Sequence, residues 1–420
     1  MLRSVDGTAM QQWLKRILWG LSVLLAVGYF GVCVWLRMNE TKIIFPRAQA
    51  YSPPLSSLLL NQQRVAFGEA DGTKLFAWIV PCLRPDSNDK WLLLFHGNGD
   101  NVSRGAAFYD DLREMGFSVM APEYPGYLDS PGEPSEAVIG REAEIAYDYL
   151  RTVKHVPAKN LVIYGGSLGA AFAIDLASRV EAGALVEHEG FSSIVAMGQE
   201  LYPFLPINLV IKSKLESGKK IGQVRMPILL LHSVDDRTVP FAHAERLYEL
   251  AHSPKRLIRL RGSHSGPGLA ELLNPGFLSE IVAFLNAEAD LHLRPPLPSI
   301  SSVITATIDS QGIEAALAEY RSLFAEFPRR YKFREPELNT LGLYLLESKR
   351  INDAIAVLRL NAEQFPQSSG ALDSLGDAYA AGGNDADAIR SYERSLALSP
   401  EGMSPSLTKL DHIRHKVQAH

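Results

Sequence analysis

The chain has 420 residues, 46% hydrophobic and 21% charged, with a formal net charge of -5. That length exceeds one ordinary core and calls for two or three folded units, while the slightly acidic balance excludes the basic footprint of a nucleic-acid-binding protein. With Cys33 and Cys82 its only cysteines, a disulfide-built scaffold is excluded as well, and packing must carry the stability.

The first predicted element is an apolar run from Ile17 to Leu36 that contains no charged residue. It is close to the ~20 residues that cross a bilayer core as a helix. Trp19, Tyr29 and Trp35 supply amphipathic rings, and Lys15, Arg16 and Arg37 bound the run. A single-pass anchor is the expectation. A cleaved signal peptide is the alternative, but the run exceeds a typical h-region and Ala48-Gln49-Ala50, the nearest small-x-small site, lies well downstream. Arg3, Lys15 and Arg16 precede the run and Arg37, Lys42 and Arg47 follow it, so positive charge does not orient it. The short preceding tail points to a cytoplasmic N-terminus, with the rest of the chain on the far side.

From Val65 the pattern becomes that of a sheet. Val65-Ala66-Phe67 and Leu75 to Val80 flank an Asp71-Gly72 turn signal and predict a hairpin. Short apolar runs then alternate with helical stretches: Trp91–Phe95, Phe117–Ala121, Leu161–Tyr164, Ala184–Glu187, Ile228–His232 and Arg256–Leu260. Parallel strands need crossover helices and burial on both faces, so this alternation predicts a doubly wound, mostly parallel α/β sheet with ligands at the strands' C-terminal ends. Between two of these strands, Leu201 to Ile211 is apolar; it reads either as an acyl-binding cap or as a helix packed over the sheet edge.

The alternation stops at Arg294-Pro295-Pro296-Leu297-Pro298-Ser299, a Pro/Ser-rich linker. Beyond it an internal repeat appears: Leu341-Gly342 and Leu375-Gly376, Ala354 and Ala388, and Pro366 and Pro400 share one spacing of 34 positions, with Leu358 and Tyr392 four places after each alanine. These residues resemble tetratricopeptide helix pairs, in which small residues let two helices approach closely. Ala316, Tyr320 and Pro328 form an upstream half-match, and Leu407 to Val417 suits a closing helix. The expected division is an N-terminal tail and anchor (1–42), an α/β region (43–292), a linker (293–305) and helical repeats (306–420). The repeats imply a protein or peptide partner.

The strongest chemical signal is Gly165-Gly166-Ser167-Leu168-Gly169, placed between the strand Leu161–Tyr164 and a helical run from Ala170. A strand-to-helix turn this tight needs glycine on both sides of the serine and leaves its hydroxyl exposed near a helix N-terminus. A serine hydroxyl is a poor nucleophile at neutral pH, so a histidine base and an orienting carboxylate are required. His264, in the small-residue loop Gly262-Ser263-His264-Ser265-Gly266, follows one strand; Asp235 and Asp236 follow another and compete for the third role. The chain order Ser, Asp, His is that of a nucleophile-elbow hydrolase. Donors for a tetrahedral oxyanion are expected from the Leu168 N–H and from the loop His96-Gly97-Asn98-Gly99, where Asn98 is best placed. His96 itself is read as a residue that packs and orients the turn. With no HExxH pattern, no clustered Cys/His set, no P-loop and no dinucleotide fingerprint, neither a metal nor a cofactor is expected.

These residues resemble the serine α/β-hydrolase superfamily, especially its membrane-anchored branch of protein depalmitoylases and lysophospholipid or monoacylglycerol lipases. The likeness spans roughly residues 40 to 290. It includes Ile43-Ile44-Phe45-Pro46, the His96-Gly97-Asn98-Gly99 loop, Glu123-Tyr124-Pro125-Gly126-Tyr127, and Gly132-Glu133-Pro134-Ser135-Glu136. It also includes the His232-x₃-Asp236-x₂-Val239-Pro240 arrangement, which selects Asp236 as the triad carboxylate. Ser233 stands where the family usually has glycine, and Glu187-His188-Glu189-Gly190-Phe191 replaces a commoner Glu-Ser-Pro-Phe stretch.

The resemblance implies acyl transfer to Ser167, assisted by His264 and Asp236, then hydrolysis by water. The expected substrate is an ester or thioester with an apolar, lipid-like acyl group. A serine peptidase or amidase is the enzymatic alternative, and a non-catalytic membrane-anchored scaffold is the alternative from another class. Asn101-Val102-Ser103 is a glycosylation pattern inside the proposed oxyanion loop, where a glycan would obstruct entry. A bacterial inner membrane with a periplasmic catalytic region is therefore the expected setting.

Overall fold

The computed structural model describes residues 7–47, 61–68, 74–83, 89–264, 266–399 and 406–418. The Asp71-Gly72 turn, Ala48-Gln49-Ala50, Ser265, Pro400 and Arg3 lie outside the described residues.

The order of elements is α1 (Gly7–Ile44), β1 (Gln63–Gly68), β2 (Lys74–Val80), β3 (Trp91–Phe95), α2 (Ala106–Met115), β4 (Ser118–Pro122), α3 (Glu136–Asp148), β5 (Leu161–Gly166), α4 (Leu168–Ala177), β6 (Ala184–His188), α5 (Ile194–Leu201), α6 (Ile207–Val210), α7 (Ser217–Lys220), β7 (Ile228–Ser233), α8 (Ala242–Leu250), β8 (Lys255–Leu260), α9 (Pro267–Leu273) and α10 (Phe277–Ala289). Seven further helices follow: α11 (Ile300–Gln311), α12 (Ile313–Glu326), α13 (Glu335–Glu347), α14 (Ile351–Gln364), α15 (Ser369–Ala381), α16 (Asp385–Leu398) and α17 (Ser406–Gln418).

The strands form one sheet in the order β1-β2-β4-β3-β5-β6-β7-β8. β2 runs antiparallel to β1 and β4, and every other pairing is parallel. The continuous apolar runs of the central strands follow from burial on both faces. Leu161, Ile163, Ile228 and Leu230 enter one core, while Val162, Tyr164, Leu229 and Leu231 enter the other, as the period of two requires. Helix α4, apolar almost all round, is buried against the first face. The chain steps from β3 outward to β4 and back across to β5, so the order switches at β3, where such sheets open a crevice.

Helix α1 extends well past the apolar run, from Gly7 to Ile44. Trp19, Leu24, Leu25 and Phe30 are exposed along it, whereas Ile44 and the following Phe45 are buried in the sheet's core. Toward its C-terminal end it is tied to the segment after β6. The Tyr29 hydroxyl donates to the Phe204 carbonyl at 2.8 Å, Arg37 donates to the Val210 carbonyl at 3.2 Å, and the Glu40 carboxylate accepts from the Lys212 and Ser213 amides at 2.8 and 2.6 Å. The apolar segment Leu201–Ile211 thus lies beside α1, with Phe204 68% and Leu209 82% exposed.

The C-terminal region is all helical. It begins at Ile300, inside the stretch read as linker, because the Ser299 side chain accepts from the Ser301 N–H and Ile300, Ile304 and Ile308 form one buried stripe. Gly342 of α13 and Gly376 of α15 recur 34 positions apart. A side chain at Gly342 would strike Leu358 of α14, and one at Gly376 would strike Tyr392 of α16. Leu410 and Ile413 of α17 close over Ala388 and Tyr392.

This region is docked on the sheet region through buried charge. Lys332 meets Asp111 at 2.9 Å, and Arg334 meets Asp110 at 2.7 Å and Asp111 at 2.6 Å. Leu272 of α9 joins the helical core. Buried pairs of this kind serve register more than stability, since desolvation offsets much of their attraction.

Candidate active site

Ser167 sits between β5 and α4 with φ 52° and ψ −117°, a conformation that costs a non-glycine residue ~1–3 kcal/mol. The neighbouring glycines make it attainable. A side chain at Gly165 would strike the backbone of Gly169 and Ala170, and one at Gly169 would strike the Phe95 and His96 carbonyls at the end of β3. The Ser167 N–H, donating to the His188 carbonyl at 2.8 Å, holds the turn against β6.

The loops after β7 and β8 bring the other two side chains to it. His264 Nε2 lies 3.0 Å from Ser167 Oγ, and His264 Nδ1 lies 2.6 Å from Asp236 Oδ2. The Thr238 and Val239 amides donate to Asp236 Oδ1 at 2.8 and 2.9 Å. Burial pushes the Asp236 carboxyl up, but hydrogen bonds from His232, His264 and the Val239 amide outweigh burial and hold it well below the usual carboxylate range. Asp235, by contrast, has a 52% exposed side chain whose nearest cation is Arg261 at 3.8 Å. Of the two adjacent acids, Asp236 is the one at His264.

A hydroxyl, an imidazole and a buried carboxylate in this sequence can move a proton from the serine to the histidine while the carboxylate stabilises the resulting imidazolium. Of the two residues expected to face an oxyanion, Leu168 opens α4, so its N–H belongs to the positive end of the helix dipole. Asn98 lines the same cleft as Ser167, and a side chain on its neighbour Gly97 would come within 3.4 Å of Ser167 Cβ. His96 is buried, with Nε2 3.1 Å from Glu123 and its ring centroid 3.9 Å from that of Tyr124. Those contacts orient the β3 loop. Asn101 is fully buried and its Oδ1 accepts from the Ser103 N–H at 3.0 Å, so the glycosylation pattern is inaccessible in the folded chain.

Several residues near the site escaped sequence reasoning as contributors. Ser233, noticed only as a departure from glycine, donates its hydroxyl to the Gly262 carbonyl and accepts from the Asp235 N–H, which ties the acid loop to the histidine loop. Glu189 places Oε2 3.5 Å from His264 Nδ1, so two carboxylates stand at the same ring nitrogen. Donor atoms of Glu189, Asp236 and His264 lie within 4.8 Å of one another, the one such grouping of three among the described residues. His188 is held neutral: burial, with His232 and His264 nearby, pushes it down to about 3. The Tyr164 hydroxyl and its Nδ1 share a hydrogen bond at 2.8 Å.

Glu187, fully buried at the end of β6, is pushed up to about 7 by burial. The folded chain therefore keeps a proton that the unfolded chain releases near pH ~4.5, and stability falls as pH rises from there to about 7. Glu187→Gln removes this dependence. In urea denaturation the variant should gain on the order of 3 kcal/mol relative to wild type between pH 4.5 and pH 8; parallel curves for the two proteins would contradict the assignment.

The cleft over Ser167 has a volume of about 810 Å³. Phe108, Tyr109 and Leu269 give it apolar walls, and helices α13 and α15 border it opposite the sheet. The Leu201–Ile211 segment is not among its lining residues, so the reading of that segment as an acyl-binding cap over Ser167 does not describe its place beside α1.

No family model matches the chain. The uncharacterized protein Rv2307c of Mycobacterium tuberculosis is 30% identical to it over 249 residues, which are 59% of this chain and 88% of that protein. The alpha/beta hydrolase domain-containing protein aho-3 of Caenorhabditis elegans is 28% identical over 234 residues, 54% of this chain and 68% of that one. Among solved structures, the Pyrococcus furiosus esterase Pf2001 aligns with a TM-score of 0.48 at 19% identity, covering 58% of this chain and 99% of its own.

Proposed function

The chain belongs to the α/β-hydrolase superfamily and is a hydrolase, and from that premise we propose that it cleaves an ester or thioester with an apolar acyl group through an acyl-enzyme on Ser167. The observation that carries this reading is the unbroken line from Asp236 through His264 to Ser167, at 2.6 and 3.0 Å. His264 removes the Ser167 proton as Oγ attacks the carbonyl, and the Leu168 and Asn98 amides receive the oxyanion. The imidazolium then returns the proton to the leaving group, and water repeats the sequence on the acyl-enzyme.

The test is hydrolysis of a panel of esters, thioesters and amides of graded chain length, alongside labelling by a fluorophosphonate probe. Ester or thioester turnover that rises with acyl length supports the reading. Faster amide cleavage would assign a peptidase or amidase instead, and a folded wild type that is neither labelled nor active would assign a scaffold.

We also read α1 as a single-pass anchor in a bacterial inner membrane, with the catalytic region periplasmic. Burying one Leu or Phe side chain is worth roughly 1.5–3 kcal/mol, so the row of exposed apolar side chains on α1 favours an apolar phase by tens of kcal/mol in all. Tyr29 lies within the apolar run and reaches Phe204, so Phe204 and Leu209 would enter the same leaflet. An environment-sensitive fluorophore on Phe204→Cys, in the full chain with Cys33 and Cys82 replaced by serine, should emit blue-shifted in liposomes and be quenched by nitroxide-labelled lipids. Water-like emission would remove this segment from the bilayer. Digestion of the catalytic region from the cytoplasmic face of sealed vesicles would reverse the proposed orientation.

The helical region, with its paired helices and its repeated Gly342/Leu358 and Gly376/Tyr392 contacts, is proposed as a tetratricopeptide-like array that receives a protein or peptide.

A further inference from the structure

The cleft above Ser167 is built by two parts of the chain. One side comes from the sheet region, through Asn98, Tyr109 and His264; the other comes from α13 and the first turn of α15. The placement of that second side is not loose. Helix α9 starts three residues after His264 and packs on α13: a side chain at Gly268 would come within 3.6 Å of Thr340 Oγ1, and Leu272 lies inside the helical core. The Lys332 and Arg334 pairs with Asp110 and Asp111 lock the start of α13 onto α2. Among the described residues, the cleft over Ser167 is bordered by this helical wall.

That wall has a definite chemistry. Glu335 and Asn339 are four residues apart and Glu347 eight further on, with Leu343 between, so all lie on one face of α13, as a helix that borders a groove requires. Glu335 is 1% exposed, and its Oε2 has no hydrogen-bond partner. Asn339 Oδ1, one turn on, is likewise buried without a donor. A buried acceptor left unpaired is costly, and two in succession on the lining of an open cleft mark a place for a donor that arrives with a ligand. Glu347 adds a carboxylate, and Asp373 of α15 adds another that already pairs with Lys409 at 2.6 Å. Among the described residues that line the cleft, the helical wall contributes no lysine or arginine; Arg104 comes from the opposite side.

We propose that α13 and α15 form the specificity wall of the catalytic cleft and select substrates that carry a cationic nitrogen, ammonium or guanidinium, on the portion away from the scissile bond. Glu335 and Asn339 accept its N–H donors and Glu347 guides its approach. This rests on the hydrolase reading of Ser167, and it turns the helical region from a separate partner site into part of substrate recognition. The cation can belong to a peptide side chain or to an amine headgroup of a lipid, since both present the same donors.

The experiment uses the full chain in detergent and two matched substrate pairs with a common acyl chain. One pair is S-acyl hexapeptides with three flanking lysines or three norleucines; the other is lysophosphatidylethanolamine and lysophosphatidylglycerol. We expect kcat/KM to be at least ~10-fold higher for the cationic member of one pair, as one desolvated charged hydrogen bond of ~1.5–3 kcal/mol allows. Preference in the peptide pair assigns a peptide source, and preference in the lipid pair a headgroup. Glu335→Gln should bring the ratio toward one, and Glu347→Lys, an exposed change that leaves the core untouched, should lower it severalfold. No cationic preference in either pair, or a preference unmoved by both substitutions, overturns the proposal. Turnover of p-nitrophenyl butyrate by wild type separates these outcomes from failure of the hydrolase reading, which would abolish that activity as well.

Discussion

Ser167→Ala should lower kcat/KM for the best ester in the panel by about 10⁴–10⁶-fold and abolish fluorophosphonate labelling, with the melting temperature unchanged or raised. The size follows from the role: nucleophile and base act as a unit, and losing either leaves what the oxyanion donors and binding contribute alone. The stability direction follows from geometry. Ser167 is held at φ 52° by Gly165, Gly169 and the His188 carbonyl, and those contacts do not involve the hydroxyl. A variant that retains more than a hundredth of the activity would show that Ser167 is not the nucleophile.

Asp236→Asn should lower kcat by about 10⁴-fold with little change in KM, whereas Asp235→Asn should stay within about twofold of wild type. Asp236 Oδ1 accepts from the Thr238 and Val239 amides, so an asparagine keeps its carbonyl there and turns its NH₂ toward His264 Nδ1. The imidazole must then accept at Nδ1 and carry its proton on Nε2, which faces Ser167 Oγ at 3.0 Å. A base with its proton on that nitrogen cannot take another from the serine at neutral pH. Glu189, at 3.5 Å from Nδ1, is placed to relieve this, so Asp236→Asn should lose further activity when Glu189→Gln is added. Equal losses from Asp235→Asn and Asp236→Asn in kcat measurements would reject the assignment.

The strands were legible because central parallel strands are buried on both faces and therefore read as unbroken apolar runs; all six runs after the hairpin coincide with β3 to β8 to within a residue or two. The elbow was legible because a turn that tight leaves glycine no substitute at Gly165 and Gly169. The start of the helical region was misplaced by six residues, since the proline run that marks a linker continues directly into Ser299, which caps α11. Asp235 and Asp236 were indistinguishable by residue chemistry alone. Adjacent acids on a loop differ only in which one the loop turns inward, and the amides that fold that loop around Asp236 belong to tertiary geometry.

The sequence by itself determined the sheet, the apolar helix, the repeat spacing and the residues proposed as nucleophile and base, because each is written in a local period or in a turn that admits few residue types. The choice of Asp236 over Asp235 rested, in the sequence, on the resemblance alone; only the tertiary structure decided that Glu189 stands beside Asp236 at His264 Nδ1, that Leu201–Ile211 lies along α1, and that α13 walls the cleft over Ser167. Each of these depends on contacts between residues far apart in the chain, such as Arg334 with Asp110 and Asp111. Long-range pairing of that kind leaves no periodic trace in the residues that make it.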